Sequence, residues 1–132
     1  MTRLTLDQTK VTDKGFVYIC KHLPRLLSLG VEGCQITDHG LTEGALQLGN
    51  LQELDLGSKL ITDAGVIAVV KYLVGLTDLT LVCCLSITEA CIEAILKTLP
   101  SLTHLGIDDC VQITEEAIEK LRDNAVAAIS FF

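Results

Sequence analysis

An α/β solenoid of five stacked strand–turn–helix units is the fold this 132-residue sequence predicts. Three observations predict it. Segments beginning at Met1, Leu26, Leu51, Leu76 and Leu102 align with one another, in steps of 25, 25, 25 and 26 residues. A fixed period in the twenties marks an array in which each turn buries its apolar face on the next. Within each unit the spacing of apolar residues changes from every second residue to helical spacing. A Thr followed by an acid stands at the same place in every unit.

Each unit opens on its strand. Leu29 and Val31, Leu54 and Leu56, Leu79 and Leu81, and Leu105 and Ile107 alternate with polar or small residues. That alternation predicts a short strand with one buried face. The extra residue of the fourth unit lies between Cys84 and Ile87. Next come Thr12-Asp13, Thr37-Asp38, Thr62-Asp63, Thr88-Glu89 and Thr114-Glu115. The Thr is expected to cap the free N–H groups of a helix start, and the acid favours the positive end of the helix dipole. A helical stripe follows: Phe16, Ile19, Cys20 and Leu23 in the first unit, and Val66, Val69, Val70 and Leu73 in the third. Pro24, Gly49, Gly75 and Pro100 are placed to end the helices. The expected shape is a short right-handed arc with parallel strands on the concave side and helices on the convex side.

The units share LxxLxLxxC followed by Ile-Thr and an acid, and this resembles the cysteine-containing leucine-rich repeats found in many F-box substrate receptors. Cys34, Cys84 and Cys110 occupy that family's cysteine position. Thr9 and Lys59 depart from it, so the first and third turns are expected to be less regular. The resemblance implies a single leucine-rich-repeat domain over 1–132, with a capping tail at 123–132. It also implies protein recognition by a noncatalytic interaction module or scaffold subunit. The alternative is the substrate-recognition part of a ubiquitin-ligase receptor whose F-box is absent from this chain.

Composition narrows the partner. With 17 acids against 10 Lys and Arg, the net charge is −7, which argues against nucleic acid and against adsorption on an anionic membrane. A basic protein segment fits better. Apolar stretches such as Gly65–Val70 and Ala125–Phe132 are far short of a bilayer span. The opening MTRLTLDQTK lacks the apolar core of a signal peptide. The expected setting is cytoplasmic and reducing.

The six cysteines admit a disulfide framework, a metal site or a nucleophile. Cys34 and Cys84 are two turns apart, roughly 10 Å at ~4.8 Å per strand, beyond disulfide reach. Cys84 and Cys110 lie in adjacent turns and are within reach. No CxxC pair or finger spacing appears, so buried reduced thiols are expected, with no cofactor and no metal. Asp78 and His104 hold the same strand position in neighbouring turns and are expected to touch. A hydrolase reading needs a nucleophile beside them. The tempting Cys83 stands five positions further along its repeat than Asp78, roughly 16 Å at ~3.3 Å per residue.

Two surfaces compete for the partner. On the concave face the outward strand positions carry Asp7, Glu32, Glu53, Asp55, Asp78 and Asp108, with Arg3 and His104 among them. Repeat proteins bind through such faces. Asp109 extends the acid at the lip. On the convex side Val17, Tyr18, Leu46, Ile67, Ala68 and Tyr72 are expected on or near the outer face of the helices. At the ends, Arg122 is a polar intrusion suited to a capping turn. Met1 already occupies the first repeat position, so the N-terminal edge is expected to be open and covered by a partner or by further sequence.

Overall fold

The computed structural model describes residues 2–123 and 130–131. Strand and helix alternate as β1 (Arg3–Thr5), α1 (Asp13–His22), β2 (Ser28–Glu32), α2 (Asp38–Ala45), β3 (Glu53–Gly57), α3 (Asp63–Val70), β4 (Asp78–Leu81), α4 (Glu89–Thr98), β5 (His104–Gly106), α5 (Glu115–Asp123) and β6 (Ser130–Phe131). All strands lie in one parallel sheet in chain order, so the chain is an α/β solenoid-like array. The registers follow the repeat: Leu29 pairs Leu54, Leu54 pairs Leu79, and Leu79 pairs Leu105. In the tail, Ser130 and Phe131 pair with His104 and Leu105 as a sixth strand. A parallel edge presents unpaired N–H and C=O groups, and the returning chain takes them up. The side chain of Arg122 and residues 124–129 and 132 lie outside the described residues.

Leucine stacked on leucine makes the core. Leu26, Leu51 and Leu76 are fully buried, as are Leu29, Leu54 and Leu79 in the strands. Each such side chain contributes about 1.5–3 kcal/mol relative to exposure. Val66, Val69, Val70 and Leu73 are all buried as the helical spacing predicts. Cys91, one residue before the inward Ile92, is fully buried as well. At the N-terminal edge Leu4, Leu6, Val11 and Leu23 are only partly buried, whereas their counterparts Leu29, Val31, Ile36 and Leu48 one turn later are fully buried.

Helix length follows the terminator. In the repeats with Pro24 and Pro100, α1 and α4 run ten residues and stop two before the proline. In the repeats with Gly49 and Gly75, α2 and α3 run eight and tighten into three-residue turns, with Gln47 N–H donating to Gly44 and Tyr72 N–H to Val69. The helices end before the glycines, with Leu46 and Lys71 at the C-cap, so Gly49 and Gly75 do not themselves terminate them.

The Thr-acid pairs do something other than cap. Thr12, Thr37, Thr62 and Thr88 sit at the N-cap with extended backbone, yet none makes a side-chain cap bond. Instead Asp13 accepts from the N–H of Thr37 at 2.7 Å and from its hydroxyl. Asp38 does the same for Thr62, and Asp63 for Thr88. The charged carboxylate is a strong acceptor, and it takes both the N–H and the hydroxyl proton of the Thr in the following repeat. Thr114 follows a repeat with Glu89 in place of Asp, and it returns to capping: its hydroxyl accepts from Ala117 N–H at 3.1 Å. The carboxylate fills space that a side chain would need. A Cβ at Gly40 would overlap Asp13, and one at Gly65 would overlap Asp38. Ala90 holds that place at the third junction and the bonds to Asp63 persist.

The turn after each strand carries a second device. Gln8, Gly33, Cys83 and Asp109 have φ between 55° and 77°, in the left-handed region. Each precedes the slot residue of its turn: Cys34, Cys84 and Cys110 are buried there, and Thr9 on the first turn is exposed. Cys34 and Cys110 there donate to the carbonyls of Leu6 and Leu81 in the preceding repeat. The first turn is regular after all, since Gln8 keeps the left-handed conformation and the Thr9 hydroxyl donates to Leu6 at 2.7 Å. The third is the exception. No left-handed residue precedes the slot, Ser58 fills it in place of Lys59, and its buried hydroxyl donates to Ile36 at 2.9 Å.

Replacing Asp38 with Ala is expected to cost roughly 1–3 kcal/mol, because two donors of Thr62 lose a charged acceptor. Thr62→Val, which keeps the N–H bond, is expected to cost less. Urea titrations of both variants and the parent measure this. A D38A midpoint equal to that of the parent would remove the interlock as a stabilising contact.

Candidate functional site

The open face of the sheet, on the side away from the helices, gathers the predicted acids. Glu53 stands beside Asp78 and Asp55 beside Thr80, on strands whose Cα positions pair directly. Gly30 pairs Asp55, and Glu32 pairs Gly57. Alternation along each strand puts these residues opposite the buried leucines. Asp55 and Asp108 are exposed, and Glu32, Glu53 and Asp78 are half-buried.

Several of the charges are already engaged. Arg3 reaches across the intervening strand to Glu53 at 3.2 Å. Asp7 accepts from the Glu32 N–H at 2.8 Å, so it ties β1 to β2 rather than facing a partner. His104 Nδ1 lies 3.5 Å from Asp78, and the Thr103 hydroxyl is 2.8 Å from the same nitrogen. Sequence reasoning expected this contact. Asp78 also accepts from the Thr77 hydroxyl. Asp55 sits centrally. Its carboxyl is raised above the ordinary range by partial desolvation, with the Thr80 hydroxyl opposing and the charges of Asp7, Glu53 and Asp78 adding to the rise. Repulsion among acids one strand apart is thus present on this face.

Cys83 does not join the Asp78–His104 pair. Its thiol lies 3.9 Å from Asp109. Its pKa is raised by desolvation in the turn and by the charges of Asp109 and Glu32. A raised thiol pKa leaves little thiolate at neutral pH, the reverse of what nucleophilic catalysis needs. The other cysteines are buried and all six are free. Burial pushes Cys20 and Cys91 up to about 12. Cys84 and Cys110 meet across adjacent turns: the Cys84 thiol holds Cys110 down at about 7, and the same bond together with burial pushes Cys84 up.

The helical side is mixed. Tyr18 and Tyr72 are exposed, Leu46 likewise, while Val17, Ile67 and Ala68 are half-buried in their helices. Tyr18 stacks on His22 with ring centroids 4.1 Å apart. A shallow groove there is bounded by Lys14, Lys21, Asp13 and Glu43, charges of both signs.

Sequence reasoning missed a cleft of about 420 Å³ at the carboxyl ends of β2 to β4, with Glu32, Gly57, Leu60, Val82 and Cys83 in its walls. The third turn creates it. Elsewhere the left-handed residue donates its N–H to the next repeat, as Gln8 does to Glu32, Gly33 to Gly57 and Cys83 to Asp108. The third repeat has no such residue, and the Val82 carbonyl is left with the Cys84 thiol at 3.7 Å. The signal was a polar Ser58 one place before the slot, flanked by Lys59 and Leu60. Also missed were exposed apolar residues on the loops behind the slot: Leu60, Leu85 and Val111, at 51%, 37% and 70% exposure.

Among the described residues no helix is long and apolar enough to cross a membrane. The chain matches no protein-family model and no curated protein.

Folded protein at pH 8 is expected to react with a maleimide rapidly at one thiol, Cys83, and with the remaining five only on unfolding. Asp109→Asn lowers the Cys83 pKa by removing a neighbouring negative charge, so its labelling at fixed pH speeds up. Mass spectrometry of the labelled peptides over time measures both. Equal Cys83 rates in the variant and the parent would contradict the assigned cause.

Proposed function

We propose that this chain is a noncatalytic protein-interaction module or scaffold subunit of the leucine-rich-repeat kind, which holds a basic segment of a partner protein on the open face of its sheet. One observation carries the reading. Glu53, Asp55 and Asp78 stand side by side on adjacent strands, and the pKa of Asp55, raised first by partial desolvation, is raised further by its acidic neighbours. A fold gains nothing from packing like charges together, whereas a cationic partner relieves the repulsion. The helical groove, with both signs of charge, offers no such complementarity. The noncatalytic part of the reading is supported by Cys83, which is turned toward Asp109 with a raised pKa. The six free thiols support a reducing, cytoplasmic setting.

The test uses fluorescein-labelled nona-arginine as a model basic segment. Replacing Glu53, Asp55 and Asp78 with Gln, Asn and Asn is expected to weaken binding roughly tenfold at low salt and to flatten its salt dependence. Stability at neutral pH is expected to hold or rise. With its folded pKa above the unfolded value, Asp55 destabilises the fold above the folded pKa, and this cost fades as pH falls through the unfolded value. The lost Arg3–Glu53 pair is exposed and contributes less than about 1 kcal/mol. The gain over the parent should therefore shrink as the solution is acidified. Unchanged affinity for nona-arginine at both low and moderate salt would rule out recognition by this face.

A further inference from the structure

We propose that the loop rim formed by Leu60, Leu85 and Val111, with the cleft beside Leu60, is a docking strip for a basic amphipathic helix of a partner protein. The inference rests on the reading of the chain as a protein-binding module and names a second surface with its own partner chemistry.

The loops in question are Lys59-Leu60, Leu85-Ser86 and Val111-Gln112, each standing between the inward slot residue and the next buried isoleucine. Every one of these loops pairs one apolar residue with one polar residue, and in each the apolar one is exposed. The three belong to consecutive repeats. Single exposed leucines are ordinary, but exposed apolar residues on the same loop of three successive turns form a row. Neighbouring strands are about 4.8 Å apart, and an α-helix rises about 5.4 Å per turn. A helix laid along the solenoid can therefore offer one apolar residue to each loop, at i, i+3 or i+4, and i+7.

The cleft supplies a place for a larger anchor at one end of the row. Leu60, Val82 and Cys83 line it together with Gly57. A Cβ on Gly57 would come within 2.6 Å of Glu32 and 3.0 Å of the Val82 carbonyl, so this part of the wall is closely packed and only glycine fits it. Its mouth exists because the third turn lacks the residue that elsewhere closes the rim with an N–H bond. Lys59 at the edge is exposed and can lie along an apolar guest with its methylene stem.

Charge selects the sign of the guest. Asp108 and Asp109, both exposed, directly precede Cys110 and Val111 on the fifth turn. Glu89 and Glu115 follow the Leu85 and Val111 loops at the starts of α4 and α5. The row is flanked by carboxylates along its Leu85 and Val111 end, with Lys59 at the other, and this matches a helix with a leucine face bordered by lysines. An acidic helix would be repelled.

The experiment uses a fluorescein-labelled Leu/Lys peptide of about 18 residues with its leucines on one helical face. Controls are a scrambled peptide of the same composition and a version with Glu in place of Lys. The protein variants are L60S/L85S/V111S, with Val111→Ser alone as a lighter change at the most exposed site, and the E53Q/D55N/D78N variant of the sheet face. The amphipathic peptide is expected to bind the parent, to gain helicity on binding, and to lose roughly tenfold or more in affinity for the triple rim variant. Val111→Ser alone should lose a smaller but measurable part. The Glu peptide should not bind. Nona-arginine should bind the rim variants as it binds the parent. Equal affinity of the amphipathic peptide for parent and rim variants overturns the strip. So does a scrambled peptide that binds as tightly, or a peptide that stays unfolded when bound. If sedimentation shows the parent self-associating through these residues, a second copy is the occupant and the partner-helix proposal falls. Nona-arginine affinity indifferent to the sheet-face variant overturns the broader reading instead, which keeps the two failures apart.

Discussion

The contact of one leucine with its counterpart in the next turn is the interaction on which the rest of this molecule depends. Leu29, Leu54, Leu79 and Leu105 stack across parallel strands in direct register, and so do Leu26, Leu51 and Leu76 at the strand entries. Apolar burial has no direction, so by itself it would allow one turn to slide on another. A slip of a single residue would carry every leucine to the solvent face. Register is therefore held at the cost of all the buried leucines at once. The residues between them inherit the alignment, and carboxylates come to stand beside carboxylates on the open face.

Polar contacts then secure what the leucines align. The Asp13–Thr37, Asp38–Thr62 and Asp63–Thr88 interlocks join the helix starts of four consecutive repeats. The slot residues tie the strand ends, through Cys34 to Leu6, Ser58 to Ile36 and Cys110 to Leu81. Both sets are directional and both cross between repeats, so they fix the spacing of turns at two places outside the leucine core. Among the described residues no buried side-chain polar atom is left without a partner. Where one set lapses the structure changes locally. Glu89 makes no interlock and Thr114 reverts to capping. Ser58 takes the slot early and a cleft opens between repeats.

These lapses make the surface uneven, because a regular solenoid surface is uniform along its length. Uniformity spreads charge evenly and offers no anchor. The third turn breaks it with the cleft, and the third to fifth loops break it with Leu60, Leu85 and Val111. On the open sheet face the break is electrostatic, since Arg3 and His104 engage Glu53 and Asp78, while Asp55 has no ion pair among the described residues. Two surfaces of different chemistry lie on one scaffold, one set by strand alternation and the other by loop length.

The sequence by itself determined the strands, their parallel order, their register and the core, because a period of 25 residues leaves one way to bury every leucine stripe. It placed Asp78 against His104 and the acids on a common face for the same reason. The tertiary structure alone decided what the Thr and Asp side chains do, since the acceptor that draws the Thr37 hydroxyl from its own helix is 24 residues away. It decided that Ser58 rather than Lys59 enters the slot: a missing residue ahead of the slot and an added one behind it cancel in the repeat count. And it decided that the tail supplies a sixth strand, because backbone groups at a sheet edge accept a short strand such as Ser130–Phe131 without requiring the leucine pattern.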